Sequence, residues 1–183
     1  MLYLRAAAVR AEAAGGGPED VGEALAAIML AVGATEAFIN QVTFLLADHT
    51  GTGRFPSDDV PAEILTDPLG YQRATELTLK WAQIGGAVLR KGWPNNPALW
   101  GDFTTLVAIR NELVHPKVDD FEQVNPPPTT LHPILRRLPA RVALRKAGQA
   151  WPYRLLSPSA AQWASGVASD LIERFKVDFQ ARY

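Results

Sequence analysis

Apolar residues recur along this chain at helical spacing. Leu77, Trp81, Ile84 and Val88 stand four, three and four residues apart, the stripe that a helix turns toward a core. Ala164, Val167, Ala168, Leu171, Phe175 and Phe179 repeat the pattern near the C-terminus. Leu25, Ile28, Met29, Val32, Ile39 and Leu46 mark a second helix over about Asp20 to Asp48, and Leu99, Phe103, Leu106 and Leu113 mark a fourth. Between the stripes stand glycine and proline clusters. The alanine-rich run Leu2 to Ala14 ends at Gly15-Gly16-Gly17, where each glycine costs a helix about 1 kcal/mol relative to alanine. Pro18, Glu19, Asp20 and Glu23 then suit a helix N-terminus. A loop is expected over Thr50 to Pro61, and Asp67-Pro68 restarts the chain for the third helix. Gly92 and Pro94 end that helix, and Asn96-Pro97 supplies the cap and first position of the fourth. From Val118 to Ser157, Pro126-Pro127-Pro128, Pro133, Pro139 and Pro152 exclude one long helix, although Leu131 to Leu138 suits a short one. Ser157-Pro158 opens the last helix. No alternating strand pattern and no internal repeat is present. The expectation is an all-α bundle of about five to six helices, one domain over 1–183, with an irregular proline-rich segment at about 118–157.

Composition narrows what such a bundle does. The 183 residues suit one domain. An apolar fraction of 48%, 20% charged residues and a net charge of -1 describe a soluble globular chain with no global attraction to nucleic acid or membrane. Any nucleic-acid contact must come from a local patch. The chain has no cysteine, which excludes disulfides, thiolate zinc sites and cysteine nucleophiles. Met1 to Arg10 lacks the apolar core of a signal peptide, so a cytoplasmic location is expected. Ala24 to Ala47 is long enough to span a bilayer. Glu36, Asn40 and Gln41 stand near its middle, and a central carboxylate costs about 2.5 to 3.5 kcal/mol on insertion. A helix buried in the bundle is therefore expected, with no membrane partner. Gly51-Thr52-Gly53 lacks the spacing and lysine of a phosphate-binding loop. Asp48-His49, Asp58-Asp59 and Asp119-Asp120 lack metal-ligand spacing and read as surface loops. No metal and no cofactor is expected.

Two charged residues fall on apolar stripes. Glu36 fills the central position of the second helix's stripe, and Arg110 completes that of the fourth. A buried charge must be paired or neutralised, so the two are expected to face each other across packed helices. Such a pair either fixes helix register alone or also holds the arginine for a ligand. Asn111 and His115 lie four residues apart, on one helix face beside Arg110. Pro116 disfavours helical geometry at His115 and places it in the last turn. A histidine there either caps the helix or serves as general acid or base. Arg136, Arg137, Arg141, Arg145 and Lys146 form a basic cluster, interrupted by Pro139. It is either a solvated face or a source of phosphate contacts. Trp81, Trp100, Trp151 and Trp163 are expected in the core or at a dimer contact.

The run Arg110-Asn111-x-x-x-His115 resembles the signature of the HEPN superfamily, helical domains of higher eukaryotes and prokaryotes, many of them metal-independent endoribonucleases. Ala34-Thr35-Glu36-Ala37-Phe38-Ile39-Asn40 resembles the family's earlier long helix, which often carries an acidic residue near the motif arginine. The ending Leu113-Val114-His115-Pro116-Lys117 is also similar to that of members. The likeness covers the second to fourth helices and the last one; the proline-rich stretch after Lys117 carries no part of it. What the resemblance implies is a homodimer whose two motifs line one RNA-cleaving cleft, without metal or cofactor, in a toxin or phage-defence protein that an antitoxin or regulatory protein controls. Arg110 is then expected to orient and neutralise the scissile phosphate, Asn111 to bond a phosphate oxygen or hold the loop around it, and His115 to activate the ribose 2′-hydroxyl or protonate the leaving oxygen. Glu36 and Asn40 would support them, and Lys117, Arg137, Arg141 and Arg145 would contact RNA. The competing expectation is a non-catalytic HEPN-like binding or interaction protein.

Overall fold

Prolines beside capping residues open helices in this protein, as the sequence pattern leads one to expect. The computed structural model describes residues 2–14, 20–49, 60–89, 93, 95–115, 132–145 and 150–182. Helix accounts for 82% of these residues and no strand occurs among them. The order is α1 (Leu2–Ala13), α2 (Asp20–His49), α3 (Ala62–Thr66), α4 (Pro68–Ala74), α5 (Leu77–Leu89), α6 (Pro97–Val114), α7 (Pro133–Arg136), α8 (Trp151–Leu155) and α9 (Pro158–Gln180). Asp67 accepts the Gly70 N–H at 2.8 Å and caps α4. Asn96 accepts that of Leu99 at 3.1 Å in front of α6. Ser157 accepts that of Ala160 at 3.1 Å in front of α9. Each bond satisfies a backbone donor that a helix start leaves open.

The expected five to six helices become nine among the described residues. Five have twelve residues or more; α3, α4, α7 and α8 are single turns or little longer. The third helix, expected to follow Asp67-Pro68 without a break, is two. Thr75 adopts extended backbone (φ -98, ψ 130) and ends α4, a conformation that suits a β-branched residue. The Glu76 carbonyl then accepts the Lys80 N–H at 2.9 Å and starts α5. Asp48 and His49 belong to the last turn of α2 and not to a loop. The short helix expected within Leu131 to Leu138 is α7, and α8 adds a second in the stretch read as irregular. Gly15-Gly16-Gly17, Asp58-Asp59, Asp119-Asp120 and Pro126-Pro127-Pro128 lie outside the described residues.

The chain groups into two compact units, the first 1–34 with 101–169 and the second 35–100 with 170–183. Alanines dominate the first unit's core: Ala7 and Ala11 of α1, Ala24, Ala27 and Ala31 of α2, and Ala160, Ala161, Ala164 and Ala168 of α9 are all buried. Small side chains let helix backbones approach, and Phe103, Leu106 and Ile109 of α6 supply bulk. An Arg10–Glu23 ion pair at 2.8 Å links α1 to α2 on the exterior.

The second unit is built around stacked rings. Trp81 lies between Phe38 (centroids 5.7 Å apart) and Trp93 (5.4 Å), with Phe175 edge-on at 5.8 Å. Gly85 is where the Trp93 ring meets α5, since a Cβ there would stand 2.6 Å from Trp93 Cε3. Only glycine admits so close an approach. Within α2, one apolar window has the length and hydropathy to cross a membrane, and 44% of it is buried inside the protein.

Candidate functional site

Eighteen residues of α6 carry the sequence motif to the helix end. Phe103, Thr105, Leu106, Val107 and Ile109 are buried, a wider apolar surface than the stripe read from the sequence. Arg110 is half-buried beside it, and Asn111 and His115 are exposed. The His115 N–H donates to the Asn111 carbonyl at 3.0 Å. The helical turn therefore continues through His115, and the two side chains leave one face a turn apart. Exposed Asn111 and His115 stand there beside half-buried Arg110. Such a corner offers donors to an oxyanion and a group able to take or give a proton.

Glu36 and Asn40 stand in the second unit, on the C-terminal half of α2. Both are half-buried. Their unit adds a residue that the charge pattern of the sequence does not single out. Lys80 is 2% exposed, and its Nζ donates to Asn40 Oδ1 at 3.3 Å. The Asn40 backbone carbonyl accepts from Gln72 Nε2 at 3.0 Å. Burial pushes the Lys80 ammonium below its ordinary value of 10.5, and the Glu36 charge acts in the opposite sense. Lys80 stands three residues after Leu77 and four before Ile84, so helical spacing marks it as core-facing, while its charge suggests solvent. Asn40 also lines an open groove of about 680 Å³ with Ala37, Gln41, Phe44 and Asp48.

The basic residues separate. Arg137 is exposed; exposed Arg141 pairs with Asp102. Arg145 folds back so that its Nε donates to the Leu156 carbonyl at 2.5 Å. Lys117, Arg110's expected neighbour in RNA contact, and Lys146 lie outside the described residues. Of the tryptophans, Trp81, Trp151 and Trp163 are buried and Trp100 is half-buried. Trp93, not singled out in the sequence, is buried as well.

Tyr71 gives the second unit a readable response to alkali. Its hydroxyl donates to Gln83 Oε1 at 2.8 Å. Burial, and then the Glu63 charge, push its ionisation from 10.0 up to about 12. Between those values the folded protein keeps a proton that the unfolded chain has lost, so stability falls as pH rises through this window. Lys80 has the opposite sign: just below 10.5 the unfolded chain holds a proton that the folded protein binds less well, and stability rises with pH there. Denaturant titrations at a series of alkaline pH values are expected to give Tyr71→Phe a flatter decline than the parent above pH 10.0. Parallel curves would show that Tyr71 ionises equally easily folded and unfolded.

Comparison with protein-family models, with curated proteins and with solved structures finds no match to this chain.

Proposed function

We propose that the protein is a metal-independent endoribonuclease of the HEPN toxin or phage-defence kind, acting as a homodimer in the cytoplasm. The observation that carries this reading is the corner at the end of α6, where half-buried Arg110 adjoins exposed Asn111 and His115. The residue types suit the reaction. His115 takes the proton of a ribose 2′-hydroxyl, whose oxygen attacks the adjacent phosphorus. The bond from phosphorus to the 5′ oxygen breaks, and the leaving oxygen gains a proton. The products are a 2′,3′-cyclic phosphate and a 5′-hydroxyl end. Arg110 and Asn111 offset the charge that builds on the phosphorane oxygens. The likeness of Ala34 to Asn40 and of Leu113 to Lys117 to the family's helices supports the same reading.

The test is incubation of purified protein with single-stranded RNA in excess chelator, followed by analysis of the new ends. Cyclic phosphate and 5′-hydroxyl termini are expected. Termini bearing a 5′-phosphate would contradict the mechanism. Intact RNA under all conditions would favour the competing reading, a helical binding protein in which Arg110 and Glu36 are structural.

A further inference from the structure

We propose that the second unit carries a binding pocket for a small, neutral aromatic molecule the size of indole. A cavity of about 210 Å³ lies there among α2, α5 and α9, walled by Phe38, Val42, Leu46, Val88, Phe175 and Phe179. Its described lining is apolar apart from Lys176 and Gln180. The exposed residues of the lining, Leu45 and Gln180, mark its open side. The ring walls are braced by their neighbours. Trp81 stacks on Phe38 at 5.7 Å and meets Phe175 edge-on at 5.8 Å, while Phe179 stacks on Phe175 at 6.4 Å. Rings so packed do not swing into the space beside them, and the cavity is formed before a guest arrives. Arg110, Asn111 and His115 belong to the other unit, so the pocket goes beyond the ribonuclease reading and does not rest on it.

Size, lining and charge together select the guest. A dry apolar cavity of about 150 Å³ accepts benzene, so this one has room for a second fused ring. It is too small for a helix, whose recognition needs a long groove for side chains at i, i+4 and i+7. Aromatic walls favour a flat guest that meets ring edges and faces. The lysine of the lining is already matched, since Lys176 Nζ donates to Glu173 Oε1 at 2.6 Å, and its charge therefore calls for no further anion. An anionic guest would have to shed its water against apolar walls. The Gln180 amide, one helical turn after Lys176, can serve one polar atom of a neutral guest.

Isothermal titration of the purified protein with indole tests this. Saturable binding is expected, with a dissociation constant on the order of 10⁻⁴ to 10⁻³ M and a melting temperature that rises with indole concentration. Benzoate, flat but charged, should bind about tenfold more weakly or worse. Val42→Phe puts a ring into the cavity and should abolish indole binding while the melting temperature is kept or raised. Leu45→Glu changes an exposed residue and sets a carboxylate at the open side, so indole should bind about tenfold more weakly or worse. The second variant decides the matter should the first not fold. No saturable binding to the parent, or equal affinity in the parent and the folded variants, would overturn the pocket. Benzoate binding as tightly as indole, or more so, would overturn the neutral class. Indole that binds only as dimers dissociate on dilution would give the cavity to a side chain of a second copy instead. RNA cleavage plays no part in these readouts, so a protein that binds indole and cuts nothing would keep the pocket and lose the ribonuclease reading.

Discussion

Replacing His115 by alanine is expected to slow RNA cleavage in chelator by about 10²- to 10⁴-fold, the usual contribution of a positioned general acid or base. The melting temperature should stay within about 2 °C of the parent, because surface substitutions usually change stability by no more than ~0.5 kcal/mol. The two readouts matter together. His115 is exposed in the last turn of α6, and its backbone bond to Asn111 does not depend on its side chain. Loss of activity with loss of stability would point to a capping role. Full activity in the variant would remove His115 from the chemistry and leave Arg110 as a structural residue on a helix end.

The parts of this protein that are legible in its sequence are those governed by local rules. Asn96, Ser157 and Asp67 cap helices because a short polar side chain before proline has few better uses. The stripes of α5 and α9 are buried at Leu77, Trp81, Ile84, Val88, Val167, Leu171 and Phe175 because period alone sets which face a helix turns inward. What period does not set is where a helix stops in favour of another. Thr75 ends α4 without glycine or proline. Nor does it rank faces on a largely apolar helix: α2 buries Ala24, Ala27, Ala31, Thr35 and Thr43 as fully as Ile28, Val32, Ile39 and Leu46, while the stripe residues Leu25 and Met29 are only half-buried. The α2 stripe places Glu36 on the core face, and the residue is half-buried, neither fully inside nor fully in solvent. The cation that its own unit places in its field is Lys80, a residue type that ordinarily belongs at the surface.

Replacing Trp81 by alanine should have the largest effect on stability, a loss of about 3 to 5 kcal/mol. Trp81 is fully buried and touches three other rings, so truncation removes its transfer energy and leaves a void lined by Phe38, Trp93 and Phe175. Collapse into that void is opposed at Gly85, where the Trp93 ring already lies against the α5 backbone. For a chain of this size about 2 to 4 °C of melting temperature accompanies each kcal/mol, so a drop of roughly 10 °C is expected by calorimetry. Trp81→Phe keeps a stacked ring and should lose less, which guards against a variant too unstable to purify. Assayed below its melting temperature, the Trp81 variant should cut RNA at the parental rate per folded molecule, because Arg110, Asn111 and His115 belong to the other unit. His115→Ala and Trp81→Ala thus predict opposite patterns, activity lost with stability kept and stability lost with activity kept. A Trp81→Ala protein that melted within about 3 °C of the parent would mean that the ring cluster carries little of the second unit's stability.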